Sequence, residues 1–145
     1  MTSIATIGNP PRVTSRVGVT RTFIVAGAVF AALVVWVIAV PILGIQLVVR
    51  FGSAAPETVG IALIAGASLL GSLCGWGLLA ALERRTSRAR AIWTGVAVIA
   101  LLASLSLPLT AATTSAARIA LGLTHLAVAA VLIPALRWTS SARRL

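Results

Sequence analysis

Four apolar runs, each about as long as a bilayer is thick, constrain this chain more than any other feature. They are FIVAGAVFAALVVWVIAVPILGIQLVV at 23–49, TVGIALIAGASLLGSLCGWGLLAAL at 58–82, AIWTGVAVIALLASLSLPL at 91–109 and AARIALGLTHLAVAAVLIPALRW at 116–138. About twenty apolar residues cross a hydrocarbon core as a helix. A helix is also the open segment that satisfies its own backbone in lipid. The connectors at 50–57, 83–90 and 110–115 are short, so successive helices must run antiparallel. The expected fold is an all-α membrane protein, an antiparallel four-helix transmembrane bundle over 23–138. A flexible basic tail over 1–22 and a second basic tail over 139–145 flank it. The first run is much longer than the apolar core of a signal peptide, so it reads as an uncleaved anchor.

Composition agrees with lipid as the solvent. Of 145 residues, 59% are hydrophobic and 10% charged, with a mean hydropathy of +1.08. Soluble domains carry roughly 25% charged residues because they need a polar shell. The net charge of +10 comes from arginine alone, against two acids, Glu57 and Glu83. Nucleic-acid binders gather such charge on a folded polar face. Here the arginines stand at the ends of apolar runs, where anionic lipid headgroups are the expected counter-charge and nucleic acid is not.

Arginine placement also sets an expected orientation. Arg12, Arg16, Arg21, Arg84, Arg85, Arg88, Arg90, Arg137, Arg143 and Arg144 fall on one side of the four spans; Arg50 and Arg118 fall on the other. The positive-inside rule then places both termini of this multi-pass chain in the cytoplasm. Arginine as the sole cation in an Ala- and Val-rich background suggests a high-GC bacterial coding bias, so the expected setting is a bacterial cytoplasmic membrane.

Within the spans, Pro41 predicts a kink near 37–41 that frees the Val37 carbonyl. Residues 45–49 are expected to tilt outward or to lie at the interface, since the run is longer than the bilayer needs. Pro108 is expected to close the third span, and Thr113, Thr114 or Ser115 to cap the fourth. Trp93 and Trp138 read as interface anchors. Gly71 and Gly75 form a GxxxG pair, and Gly122 lies on the face of the fourth span that also carries Arg118, His125 and Ala129. Such small residues let helices approach closely. The lone Cys74 reads as a buried, inert thiol.

His125 is the only histidine. It falls ~13 Å below the outer end of its span, at 1.5 Å per residue. Ser68 and the Val37 carbonyl reach the same depth, so an interhelical bond from His125 to one of them is expected. The sharper alternative is a pathway or ligand site at an intramembrane ionisable group, formed by His125, Ser68 and Arg118. The loop ERRTSRAR carries Arg84, Arg85, Arg88 and Arg90, which suit anionic lipid or an acidic partner. Glu83 beside them is expected to pair, if at all, within the loop. No acid–base pair, metal cage or cofactor motif stands out.

PILG at 41–44, WGLLAALERRTSRARAIWT at 76–94, SLSLP at 104–108 and HLAVAAVLIPALR at 125–137 carry a resemblance. On these residues the chain resembles an uncharacterised family, a domain of unknown function, of small four-helix integral membrane proteins from high-GC Gram-positive bacteria. The resemblance implies fold and setting but no activity. Function at this level reads as a non-catalytic subunit, adaptor or membrane-organising module with a membrane-protein partner or a second copy. The alternative is a small transporter or channel with a path near Arg118 and His125.

Overall fold

A computed structural model describes residues 13–140, and of 13–16 the backbone alone. Arg12, Arg143 and Arg144 and the remaining tail residues lie outside the described residues. Four helices are long and apolar enough to cross a membrane: α1 (Val13–Val37), α2 (Ile61–Arg85), α3 (Ala89–Ala111) and α4 (Ser115–Thr139). Between α1 and α2 stand a π-helical turn (Ile38–Ile42) and two short strands, β1 (Val48–Val49) and β2 (Glu57–Thr58). The helices form a ring in which α1 packs on α4 and α2, and α3 packs on α4 and α2.

The bundle is inverted relative to a soluble one. Phe23, Phe30, Leu70, Ile99 and Leu102 each leave more than 60% of their surface exposed, while Ala28, Ala32, Ala117 and Ala120 are buried. Small residues inside let backbones approach, which is how helices associate where lipid removes the hydrophobic drive. At Gly27, for instance, an added Cβ would meet Val131 of α4 at 3.7 Å.

α1 begins at Val13, so 13–22 is helix rather than part of a flexible tail. A buried stripe of α1 accompanies this: Arg21, Val25, Ala28 and Ala32 recur at helical spacing, and Arg21 is the first buried member among the described side chains. Arg21 is the surprise of the fold. Its Nη2 and Nη1 donate to the two carboxylate oxygens of Glu83 at 2.6 and 3.1 Å, and its Nε donates to Thr139 Oγ1 at 3.1 Å. One guanidinium thus joins the start of α1 to the ends of α2 and α4. Glu83 pairs across the bundle, not within its own loop, because Arg21 reaches it in a fork that matches a carboxylate.

The expected 83–90 loop is mostly helix. Arg84 and Arg85 end α2, Arg88 is the N-cap of α3 and Arg90 lies in its first turn. Arg90 Nε donates to Ser140 Oγ at 3.2 Å, tying α3 to the end of α4.

At the opposite end the first apolar run departs from expectation. Around Pro41 the backbone widens into the π turn, and Leu43 N–H reaches the Ile38 carbonyl at 3.0 Å. Gly44 then takes φ +66°, a left-handed value that suits glycine, and the helix ends. Residues 45–49 do not continue a span. Val48 and Val49 pair antiparallel with Thr58 and Glu57. Leu47, Val49 and Val59 are buried against α1, α3 and α4 residues, so this hairpin plugs the bundle. Its backbone is satisfied by the end of α3 and the turn after it: Arg50 N–H donates to the Ala111 carbonyl at 2.8 Å, and Thr113 N–H to that of Val48 at 3.0 Å. Trp36 Nε1 adds a bond to the Val59 carbonyl at 3.4 Å.

Pro108 lies inside α3, which continues to Ala111. Thr114 caps α4, its side chain accepting from Ala117 N–H at 3.1 Å. Trp93 is not an interface anchor. It is 1% exposed, and its Nε1 donates to the Gly75 carbonyl of α2 at 2.8 Å. Trp138, near the end of α4, is 80% exposed.

Arg21→Gln should destabilise the bundle by about 3–5 kcal/mol, because it strands a carboxylate that has left water. Arg21→Met together with Glu83→Leu should recover most of that loss. Thermal unfolding in detergent tests both, and an Arg21→Gln protein as stable as the parent would overturn the clamp.

Candidate functional site: a lateral groove between α2 and α3

Toward the arginine-rich end, Trp93 of α3 fills the seam under Gly75 of α2. Trp93 sets the separation there. Further along, Ala67, Ser68 and Gly71 of α2 face Ala97 and Ala100 of α3, and side chains this small leave the space between them unfilled. The result is a groove of about 660 Å³. α4 forms its floor through Leu121, Thr124, His125 and Val128, and the hairpin closes one end with Val49, Phe51 and Glu57. Leu63 and Leu78 of α2 and Val96 and Leu107 of α3 line it and are themselves exposed, so it opens sideways between the two helices.

Its walls are aliphatic with a few polar groups. His125 Nδ1 lies 2.8 Å from the Leu121 carbonyl of its own helix. A carbonyl only accepts, so Nδ1 carries the proton and a neutral ring keeps Nε2 as an acceptor. Among the described residues His125 makes no bridge to Ser68 or to the Val37 carbonyl; its ring is instead bonded to the carbonyl one turn back. Ser104 and Thr124 are likewise spent on the Leu101 and Ala120 carbonyls, at 2.8 and 2.9 Å. Ser68 makes no hydrogen bond among the described residues, which leaves its hydroxyl open to the groove. One position round α2 from Gly71, Ser72 is fully buried with its Oγ unpartnered.

The structure therefore brings His125 and Ser68 into one cavity, as their matching depth suggested. It does not bring Arg118 there. Arg118 is exposed in the first turn of α4 and lines no part of the groove. Cys74 is exposed, lining the groove rather than buried in the core. Of the three glycines expected at packing faces, Gly75 lies close to Leu132 and Trp93, whereas Gly71 and Gly122 have nothing within reach of an added Cβ. Arg84, Arg85, Arg88 and Arg90 are all exposed.

Chemically, one imidazole acceptor, one hydroxyl and one thiol on an aliphatic wall can orient an apolar guest. Among the described residues, no three metal-ligating side chains come together. The groove itself had no sequence signal, since it is a volume left by small residues. Glu57 at its mouth had one, as one of the chain's two acids.

The chain belongs to a family described as a family of unknown function (DUF6069), which matches residues 12–142. No curated protein and no solved structure matches it.

Filling the groove should be structurally cheap. Gly71→Leu enters open space and should shift stability by less than about 0.5 kcal/mol. Gly75→Leu, whose Cβ would meet Leu132 at 3.4 Å and Trp93 at 3.9 Å, should cost about 1–3 kcal/mol as overpacking. Equal losses in thermal unfolding would mean that the space at Gly71 is not open.

Proposed function

We propose that this member of the family is a non-catalytic membrane-organising module that holds a slim apolar guest, a lipid chain or a molecule like one, in the groove between α2 and α3. The observation that carries this reading is the lateral opening of an aliphatic cavity on a bundle whose outer surface requires lipid. Volume decides between kinds of guest. One helical turn with side chains, ~10 Å across and 5.4 Å tall, fills roughly 400 Å³. A groove of about 660 Å³ therefore takes less than two turns, far short of a partner's spanning helix. It lies within the 300–1,000 Å³ range of small-molecule sites. A subunit or adaptor role then uses the groove to seat a lipid between this chain and its partner, not to seat the partner's helix.

The setting follows from charge. We place the protein in a bacterial cytoplasmic membrane, with both termini inside and its arginine-rich end against anionic headgroups. The ten-to-two distribution of arginines supports this orientation. A transport path near Arg118 and His125 has weaker support, because only His125 of the pair lines the groove.

Extraction into native nanodiscs followed by mass spectrometry should return the protein with a retained lipid-like molecule, and Gly71→Leu should release it. A stoichiometric protein with no bound lipid would make the chain a partner-binding subunit instead. Reporters fused after residue 145 should read cytoplasmic, and those inserted in 50–57 external. The reverse pattern would overturn the orientation.

A further inference from the structure

At the arginine-rich end, on the seam between α3 and α4, lies a second concavity of about 370 Å³. Ser87, Arg88, Arg90, Thr94 and Arg137 line it. Two helices bring these residues together: Arg88 and Arg90 flank the start of α3, and Arg137 sits in the last turn of α4. The bond from Arg90 Nε to Ser140 Oγ holds the two sides at a fixed distance. Arg88 and Arg137 make no ion pair among the described residues. The chain's own acidic side chains do not supply one: Glu83 is engaged by both ends of the Arg21 fork, and Glu57 lies at the opposite end of the bundle. Neither lines the concavity.

Arg88 and Arg137, with Arg90 beside them bonded to Ser140 and the hydroxyls of Ser87 and Thr94 in the same lining, make a surface for a phosphate, which arginine grips through paired N–H donors. Depth identifies which phosphate. The apolar part of α3 starts at Ala91–Ile92, and Trp138, next to Arg137, projects outward with 80% of its surface exposed. An aromatic at this position marks the level of headgroups, and basic pockets between spanning helices at that level take anionic lipid heads.

We propose that the concavity formed by Arg88, Arg90 and Arg137 is a discrete site for the phosphate of an anionic phospholipid headgroup. Its lipid chains then run along the exposed apolar faces of α3 and α4. This rests on the reading of the chain as membrane-embedded, and it narrows the arginine contribution: Arg137 joins the site, whereas Arg84 and Arg85, on the end of α2, do not.

The test is titration of the purified protein in detergent with phosphatidylglycerol or phosphatidylcholine, followed by native mass spectrometry. Phosphatidylglycerol should bind preferentially at one site. The pair Arg88→Gln with Arg137→Gln should weaken it by about thirtyfold, the effect of two basic residues near an anionic surface. The pair Arg84→Gln with Arg85→Gln removes the same charge from α2 and should change it by less than about threefold, as exposed charges at a distance do. All four arginines are exposed, so neither pair should unfold the bundle. Equal weakening by both pairs would overturn the site in favour of diffuse charge. Equal binding of phosphatidylcholine would overturn the requirement for net charge. Displacement of the lipid by millimolar inorganic phosphate would overturn the lipid as the source of the phosphate. Inverted reporters would refute the orientation proposed above while leaving this titration intact, so the two failures are separable.

Discussion

A single guanidinium holds one end of this bundle together. In a helix packed by alanines, with no hydrophobic drive between spans, a charge-assisted fork that satisfies Arg21 from two other helices is the strongest directional contact available. Its side chain is only 5% exposed and that of Glu83 23%. Loss of the carboxylate would leave the buried Arg21 charge with only the Thr139 hydroxyl beside it. Helix α1 must extend back to Arg21 and α2 on to Glu83 for the pair to meet, and both do. The clamp also engages Glu83 away from Arg88 and Arg137, the exposed arginines at the seam of α3 and α4.

The two ends of the bundle are secured by different chemistry. Side-chain ions and hydroxyls bind the arginine-rich end, whereas backbone hydrogen bonds bind the other, through a hairpin seated on the turn between α3 and α4. Backbone that leaves the helix near a membrane is tolerated when it is buried in protein and its groups are met. The bonds from Arg50 to Ala111 and from Thr113 to Val48 meet that condition. Between these closed ends, α1 and α4 pack tightly while α2 and α3 diverge. The groove lies where neither closure reaches.

The number and approximate extent of the helices were legible in the sequence because apolar run length is set by bilayer thickness, which acts on every residue of a span. What failed depended on contacts between segments distant in the chain. The Arg21–Glu83 pair spans 62 residues, and the only hint was that the chain's two acids must go somewhere. Trp93 looked like an anchor because it begins a span, yet it fills the seam beneath Gly75. The GxxxG reading was half right: Gly75 packs, while Gly71 opens into the groove. His125 and Ser68 line the same groove, but depth arithmetic could not see that the Leu121 carbonyl, one turn back, would take the imidazole. The hairpin was hidden because Val48, Val49, Thr58 and Val59 are as apolar or β-branched as residues of a span.

The π turn at Ile38–Ile42 acts as one extra residue lodged in a helix. It moves the phase of everything beyond it by about 100°, the rotation of a single helical step. Ala39, at the start of the turn, keeps the seven-residue spacing from Ala32 on the buried stripe. Ile42 and Leu43 at its end are exposed, and after the left-handed Gly44 the chain brings Leu47 back to plug the bundle. Deleting one residue within the turn would restore ordinary spacing yet point the hairpin at the wrong face. Chain length in this short stretch is thus a rotational setting for the lid of the bundle.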